Sequence, residues 1–438
     1  MTKRLFGTDG VRGVAGDALT AELAVALGRA AAAEARAGRP QVLIVRDTRE
    51  SGPMLEGALA AGVAQGGGDA LIAGVLPTPA ASILVRRLGL DIAAVISASH
   101  NPWRDNGIKF FGRDGEKLPD ESEERIEEAV GSEIQARGAV GQIRLLHGST
   151  DDYLRELEGA FRSRLDGLKV VLDCANGATH AAAPEIFRRL GAEVDVIYAD
   201  PDGRNINEGC GSTHPEALAE RVVSTGADIG FAYDGDGDRV LAVDSSGQLR
   251  DGDELISLVA GHLDEAGELG GGIAVTVMSN FGFHSAMEIA DIEVATTPVG
   301  DRHISKELRE RNWTLGGEQS GHLIWTGFAP TGDGIAASLL VCRALAGRPL
   351  AEAIPMEKLP QTLVNVRVAD RDALDGATAF WDEVENESAQ LEGRGRVLVR
   401  PSGTEPLVRV MVEAPEQGEA DAVATRLAEF IERDLGAA

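Results

Sequence analysis

An apolar strand that empties into a small polar loop occurs twice in this chain in matching register, and this repeat limits the possible folds most. Gly89-Leu-Asp-Ile-Ala-Ala-Val-Ile-Ser-Ala-Ser99 aligns with Gly226-Ala-Asp-Ile-Gly-Phe-Ala-Tyr-Asp-Gly-Asp236. With Asp91 set on Asp228, Ser97 and Ser99 fall opposite Asp234 and Asp236. A looser third copy, Trp313-Thr-Leu-Gly-Gly-Glu-Gln-Ser-Gly-His322, ends in a comparable polar loop. Around these copies, β-branched runs alternate with Ala/Leu-rich stretches. Val42–Val45, Ala70–Val75, Lys169–Leu172, Glu193–Tyr198, Ile273–Val277 and Ile292–Ala295 read as strands. Leu55–Ala64, Ala182–Leu190 and His284–Ile289 read as helices between them. Strands alternating with helices predict layered α/β units, here three related ones that each send a loop toward a shared centre. After about residue 365 the pattern changes. Val364–Val368, Arg396–Val399 and Leu407–Val412 read as strands, and Asp372–Gln390 and Glu419–Leu435 as helices, a smaller α+β unit. The expected divisions are 1–150, 151–250, 251–365 and 366–438, in line with two to four domains for 438 residues at roughly 100–200 residues each.

Charge and cysteine content narrow the function. Lys plus Arg number 42 against 70 Asp plus Glu, a net charge of −28. That balance excludes a nucleic-acid binder, which needs a basic face, and disfavours anionic membranes. Three widely spaced cysteines, Cys174, Cys210 and Cys342, cannot form a disulfide framework or a Cys-x-x-Cys zinc site, so a reducing, cytoplasmic setting is expected. The first residues lack the apolar core of a signal peptide, and no apolar run of about 18 residues is present to span a membrane.

Four loops carry chemistry. In Tyr233-Asp-Gly-Asp-Gly-Asp-Arg239, three carboxylates repel one another unless a countercharge joins them. A hard divalent cation with oxygen ligands, Mg²⁺ rather than zinc, meets that need, with Asp234, Asp236 and Asp238 as ligands. An EF-hand is excluded, because its sixth and twelfth positions would be Arg239 and Ser245 in place of Gly and Glu. An aspartyl-phosphate enzyme using Asp234, and a solvated acidic turn, are the alternatives. In Ile96-Ser-Ala-Ser-His-Asn-Pro102, Ser99 is a nucleophile only if activated; His100 and Lys109 are near in sequence, while a plain capping loop is the competing reading. Arg400-Pro-Ser-Gly-Thr-Glu-Pro-Leu-Val-Arg409 combines hydroxyls, a glycine and two guanidiniums into a phosphate cradle, or forms an ordinary turn. In Gly316-Gly-Glu-Gln-Ser-Gly-His322, Glu318 and Ser320 are candidates for sugar hydroxyls and His322 for proton transfer.

These four loops, in this order, resemble the α-D-phosphohexomutase superfamily, from Phe6 to about Arg409. The opening Arg4-Leu-Phe-Gly-Thr-Asp-Gly-Val-Arg-Gly13, Ser97, Gln319 and Asn205-Ile-Asn-Glu-Gly-Cys-Gly-Ser-Thr-His-Pro-Glu216 are similar to its bacterial branch acting on glucosamine phosphates. The resemblance implies four domains around a central cleft, the first three related. It implies Ser99 as the phosphoryl carrier, and Mg²⁺ held by Asp234, Asp236, Asp238 and a phosphoserine oxygen. Arg12 and Lys109 match positions near the phosphoserine, His322 an acid/base position, and Gly300-Asp301-Arg302 a substrate loop. Glu318 and Ser320 would grip the sugar, and Arg400, Ser402, Gly403, Thr404 and Arg409 the non-reacting phosphate. The implied reaction interconverts glucosamine 6-phosphate and glucosamine 1-phosphate through glucosamine 1,6-bisphosphate, with that bisphosphate or glucose 1,6-bisphosphate as primer. It feeds synthesis of UDP-N-acetylglucosamine and the cell wall, and a homodimer is implied. A mannose or glucose phosphomutase of the same fold is the nearest alternative. A metal-dependent phosphomonoesterase and a non-catalytic sugar-phosphate sensor stand further off. The basic groups Arg12, Lys109, Arg302, Arg400 and Arg409 are expected to outweigh the acidic surface locally.

Overall fold

A computed structural model describes residues 5–7, 9–35, 38–131, 140–401 and 406–435, with the side chains of 371 and 372 left out. Two units separate. One comprises Met1–Met278 and Ile292–Ile354, the other Ser279–Asp291 and Pro355–Ala438.

The first unit holds three sheets. In the first, β1 (Val11–Val14), β2 (Gln41–Arg46), β3 (Asp69–Val75), β4 (Ile92–Ile96), β5 (Asp105–Gly112) and β6 (Ile143–Leu145) run in the order β1-β5-β4-β2-β3-β6. The second contains β7 (Lys169–Asp173), β8 (Glu193–Ile197), β9 (Ile229–Tyr233), β10 (Val240–Asp244) and β11 (Leu249–Arg250), ordered β11-β10-β9-β7-β8. The third contains β12 (Gly272–Thr276), β13 (Glu293–Thr297), β14 (Leu315–Gly317) and β15 (Leu323–Trp325), ordered β13-β12-β14-β15. The central strands β4, β9 and β12 are buried at every residue, as apolar runs covered on both faces must be.

The repeat is real at the level of single hydrogen bonds. The parallel pairs β2–β4, β7–β9 and β12–β14 are followed by the antiparallel partners β5, β10 and β15. Asp91 accepts the Gln41 amide at 2.9 Å, and Asp228 accepts the Lys169 amide at 2.8 Å. Each carboxylate thus ties the start of one central strand to the start of its neighbour. The third copy makes the tie with Thr314, whose amide and hydroxyl both donate to the Leu269 carbonyl. At the other strand ends, Asp47, Asp173 and Thr276 each accept the amide two residues on. The three chemistry-bearing loops therefore leave their sheets from equivalent hairpins.

In the second unit, β16 (Gln361–Arg367), β17 (Arg396–Pro401) and β18 (Leu407–Glu413) form an antiparallel sheet ordered β16-β18-β17. Val408, Val410 and Val412 pack with Phe380, Leu427 and Ile431 from helices Thr378–Gln390 and Gln417–Leu435. Glu413 is fully buried, salt-bridged to Arg396 at 2.8 Å, and accepts the Phe281 amide. It thereby fastens helix Phe281–Ile289 to this unit. The expected helix at Asp372 begins at Thr378 instead, after a 3₁₀ turn over Arg371–Gly376. Gly376 is the reason, since glycine loses the most backbone entropy in a helix. The expected division at 150 falls inside helix Ser149–Ala160, and that at 365 inside β16; the coil 355–360 before β16 carries Pro355 and Pro360. Among the described residues, no helix is long and apolar enough to cross a membrane.

Candidate active site

The Ser99 loop connects β4 to β5. Ser99 is 3% exposed and adopts φ +51°, a left-handed conformation that costs a non-glycine residue about 1–2 kcal/mol. Its Oγ donates to Asp234 Oδ2 at 2.5 Å and lies 3.3 Å from His100 Nδ1. Ser97 supports it from below. The Ser97 hydroxyl accepts the Ser99 amide at 3.0 Å and donates to Asp47 at 2.5 Å.

The loop after β9 brings a buried carboxylate triad to the same place. One oxygen each from Asp234, Asp236 and Asp238 lies within 4.8 Å of the others. The approach demands glycine at 235, because a Cβ there would sit 2.6 Å from the Ser99 carbonyl. Asp236 Oδ2 accepts Lys109 Nζ at 2.8 Å and Thr78 Oγ1 at 2.6 Å. Asp236 Oδ1 and Asp238 Oδ1 are buried and have no hydrogen-bond partner among the described residues. Burial, then the neighbouring Asp236 and Asp238, push the Asp234 carboxyl well above its ordinary range. Burial also acts to raise Asp238, yet Lys109 and His322 outweigh it and hold this carboxyl low. Orphaned carboxylate oxygens facing one point, with one nearby ammonium, are the donor set of a hard divalent cation. The residues present therefore fit Mg²⁺.

Charged groups surround the triad. Burial alone would lower the Lys109 ammonium, but Asp236, Asp9 and Asp238 raise it, so it stays protonated. Lys117 bridges Asp9 at 2.5 Å and Asp301 at 2.6 Å. Arg12 joins the cluster by pairing with Asp9. His322 Nδ1 stands 3.7 Å from Asp238 and its Nε2 3.9 Å from Asp301. Burial opposes protonation there, but these acids raise the imidazole above its usual value. His100 shifts the other way, lowered by burial and by Arg239 and Arg12. Glu318 accepts the Gly300 amide at 3.2 Å, and Ser320 lies exposed on the same turn. A cleft of about 750 Å³, lined by Lys117, Asp301, Arg302, Lys306 and Arg309, among others, adjoins this cluster through Lys117 and Asp301.

The structure thus gathers Ser99, His100, Lys109, Asp234, Asp236, Asp238, Asp301 and His322, with Arg12 one residue removed. Gly300 and Glu318 adjoin them through their shared hydrogen bond. Arg302, in the same cleft wall as Asp301, pairs its guanidinium with Asp120 and Glu123. In the second unit, Arg400 and Arg409 oppose each other across β17 and β18. Among the described residues, Arg409 Nε is buried without a hydrogen-bond partner, and burial and Arg409 together lower Arg400. Two facing guanidiniums with an unused donor fit an anion. Ser402, Gly403 and Thr404 lie outside the described residues. Sequence reasoning missed Asp9, Asp47, Arg49, Thr78, Lys117 and Asn207. Asn207 had a signal, since it sits in the Asn205–Glu216 stretch; Lys117 had none, because its partners are far away along the chain.

Comparison with known proteins agrees with this geometry. Four family models match, described as phosphoglucomutase/phosphomannomutase, alpha/beta/alpha domain I over residues 3–137, domain II over 151–247, domain III over 251–359, and C-terminal domain over 363–430. The phosphoglucosamine mutase of Mycolicibacterium gilvum is 51% identical over 439 residues, covering 98% of this chain and 99% of that protein. A phosphoglucomutase/phosphomannomutase family protein from Burkholderia thailandensis superimposes with a TM-score of 0.83 at 26% identity, covering 98% and 97% of the two chains. Aspergillus fumigatus N-acetylphosphoglucosamine mutase, solved with GlcNAc-6P and magnesium, shares the fold at a TM-score of 0.71 and 20% identity, covering 99% and 96%. With a serine hydroxyl on a buried carboxylate triad and all four domain models matched in order, this chain belongs to the phosphoglucomutase/phosphomannomutase family, the α-D-phosphohexomutases.

Proposed function

We propose that this chain interconverts glucosamine 6-phosphate and glucosamine 1-phosphate, using Ser99 as a phosphoryl carrier. The observation that carries the reading is the 2.5 Å contact of the buried Ser99 Oγ with Asp234 in the triad. Relatives about half identical over nearly the whole chain bear the name of this reaction, which supports the choice of amino sugar.

Phospho-Ser99 passes its phosphoryl group to the C1 hydroxyl of glucosamine 6-phosphate, the serine O–P bond breaking as the sugar O–P bond forms. The resulting glucosamine 1,6-bisphosphate turns round. Its 6-phosphoryl group returns to Ser99 and leaves glucosamine 1-phosphate. Such transfers have loose transition states with charge on the equatorial oxygens, so fixed positive charge matters most. Asp234, Asp236 and Asp238 would hold Mg²⁺, which would supply part of that charge. Lys109, pinned by Asp236, supplies more, and Arg12 stands behind it. His100, kept neutral, is placed to accept a proton at Nδ1, and His322, favoured in its protonated form, to return one. Glu318 and Ser320 read sugar hydroxyls, while Gly300 and Asp301 position the cleft wall. Arg400 and Arg409, with Ser402, Gly403 and Thr404, form the phosphate site of the second unit. The division into four domains, 1–150, 151–250, 251–365 and 366–438, belongs to the same reading. So does a cytoplasmic homodimer. The three buried free cysteines fit a reducing compartment, and edge strand β6 exposes Ile143 and Leu145, apolar surface a second copy can cover.

A coupled assay for glucosamine 1-phosphate, with and without bisphosphate primer, tests the proposal. Turnover should depend on primer, and Ser99→Ala should lose about 10³-fold or more, as removal of a covalent carrier does. A strong preference for mannose 1-phosphate would replace the substrate. Net phosphate release by Ser99→Ala would replace the reaction.

A further inference from the structure

Ser99 must return to one place after every half-reaction, yet its backbone sits in a region that side-chain-bearing residues rarely occupy. Two side chains from different sheets of the first unit converge on its carbonyl. Arg49, fully buried, donates from Nη2 to the carbonyls of Ser99 and Asn101, each at 2.9 Å. Its Nη1 donates to the carbonyl of Asp105 at 2.9 Å and to that of Pro102. Its Nε donates to Asp47 at 2.8 Å. Asn207 reaches the same two carbonyls from the other side, Ser99 at 2.9 Å and Asn101 at 3.1 Å. This guanidinium has spent its donors on protein oxygens and has none left for a substrate. A fork gripping four carbonyls of one loop fixes the loop's course in a way a single ammonium cannot.

We propose that Arg49 and Asn207 are positioning residues, a two-sided carbonyl clamp that holds Ser99 left-handed and keeps its Oγ aimed at the triad. The clamp grips the backbone, so it works equally on the free and the phosphorylated serine. The inference rests on Ser99 being the carrier. Misplacing a reacting group by about 1 Å costs about 10²-fold in rate. Arg49→Lys, which keeps the charge and loses the fork, should therefore lower kcat about 10²-fold with KM within about twofold. Asn207→Ala should lower it about tenfold. Because both grip the same carbonyls, the double variant should lose much less than the product of the two effects. Hydrogen exchange over residues 97–105 should quicken in each variant, while the rest of the first unit keeps its protection. Wild-type kcat in either folded variant, or independent effects with unchanged loop exchange, would overturn the clamp. If Arg49→Lys does not fold, Asn207→Ala decides by kcat and loop exchange. Ser99→Ala run in parallel separates the two readings. Its inactivity beside fully active clamp variants removes the clamp alone; its full activity removes the carrier, and loop exchange still judges the clamp.

Discussion

At the end of β2, Asp47 accepts the Arg49 amide, and at the end of β7, Asp173 accepts the Ala175 amide at nearly the same distance, 2.9 against 2.8 Å. The two copies then diverge at that second residue. In the first copy it is arginine, whose guanidinium neutralises Asp47 and spreads over the carbonyls of the Ser99 loop. In the second it is alanine, and the other Asp173 oxygen takes only the Gly211 amide. Burial without a cation pushes Asp173 up to about 7; burial raises Asp47 as well, but there Arg49 and Ser97 work against it. The hairpin loops diverge in the same way. Ser97 and Ser99 offer hydroxyls where Asp234 and Asp236 offer carboxylates, and the two loops meet at the 2.5 Å contact. One frame, repeated, presents a hydroxyl from one side and carboxylates from the other.

The comparison can be broken most decisively at Asp236. Asp236→Asn removes charge from the second copy's loop and loosens Lys109, and should cut primed turnover in Mg²⁺ by about 10²–10³-fold, the cost of losing one fixed electrostatic group. Circular dichroism should be unchanged. Wild-type turnover would mean the second copy does not supply the charge.

A smaller effect sharpens the contrast between the turns. Asp173 has a folded pKa raised above its unfolded value, so the folded state binds the extra proton between about pH 4 and 7. Stability from this group is fully present below the unfolded pKa and is lost as pH rises through about 7. Urea melts from pH 4 to 8 should show a decline of roughly 1–3 kcal/mol, at about 1.4 kcal/mol per pKa unit less the relief from relaxation. Asp173→Asn should flatten that slope even if it lowers stability overall. Equal slopes in variant and wild type would show that another group carries the proton.

The smallest test concerns what the copies share. Asp91→Ala and Asp228→Ala each remove one carboxylate-to-amide tie between neighbouring strands, and each should cost about 1–2 kcal/mol in denaturant melts. A clear cost in one and none in the other would end their equivalence.

Much of the frame was legible because it is written locally. The apolar strands and the polar loops closing them were read within a few residues, and Ala182–Leu190 was placed residue for residue. The triad was legible because Asp234, Asp236 and Asp238 share one turn. The Asp372 start failed for an equally local reason, the glycine at 376, which the helical pattern around it hid. The charge network resisted reading for a different reason. Asn207 lies 108 positions from Ser99, and Asp301 lies 184 from Lys117, with no periodicity to announce either.

The amino-acid order by itself determined the alternation of strand and helix, the repeat, and which loops carry hydroxyls, carboxylates and guanidiniums. These depend on hydrophobic spacing and turn chemistry within a dozen residues. Only the tertiary structure decided which charge answers which. It joined Lys117 to Asp9 and Asp301, gave Arg302 to Asp120 and Glu123, and turned Arg49 from a surface-type residue into a buried clamp. The physical reason is that ion pairing and burial depend on distance and surroundings in space, to which separation along the chain is blind.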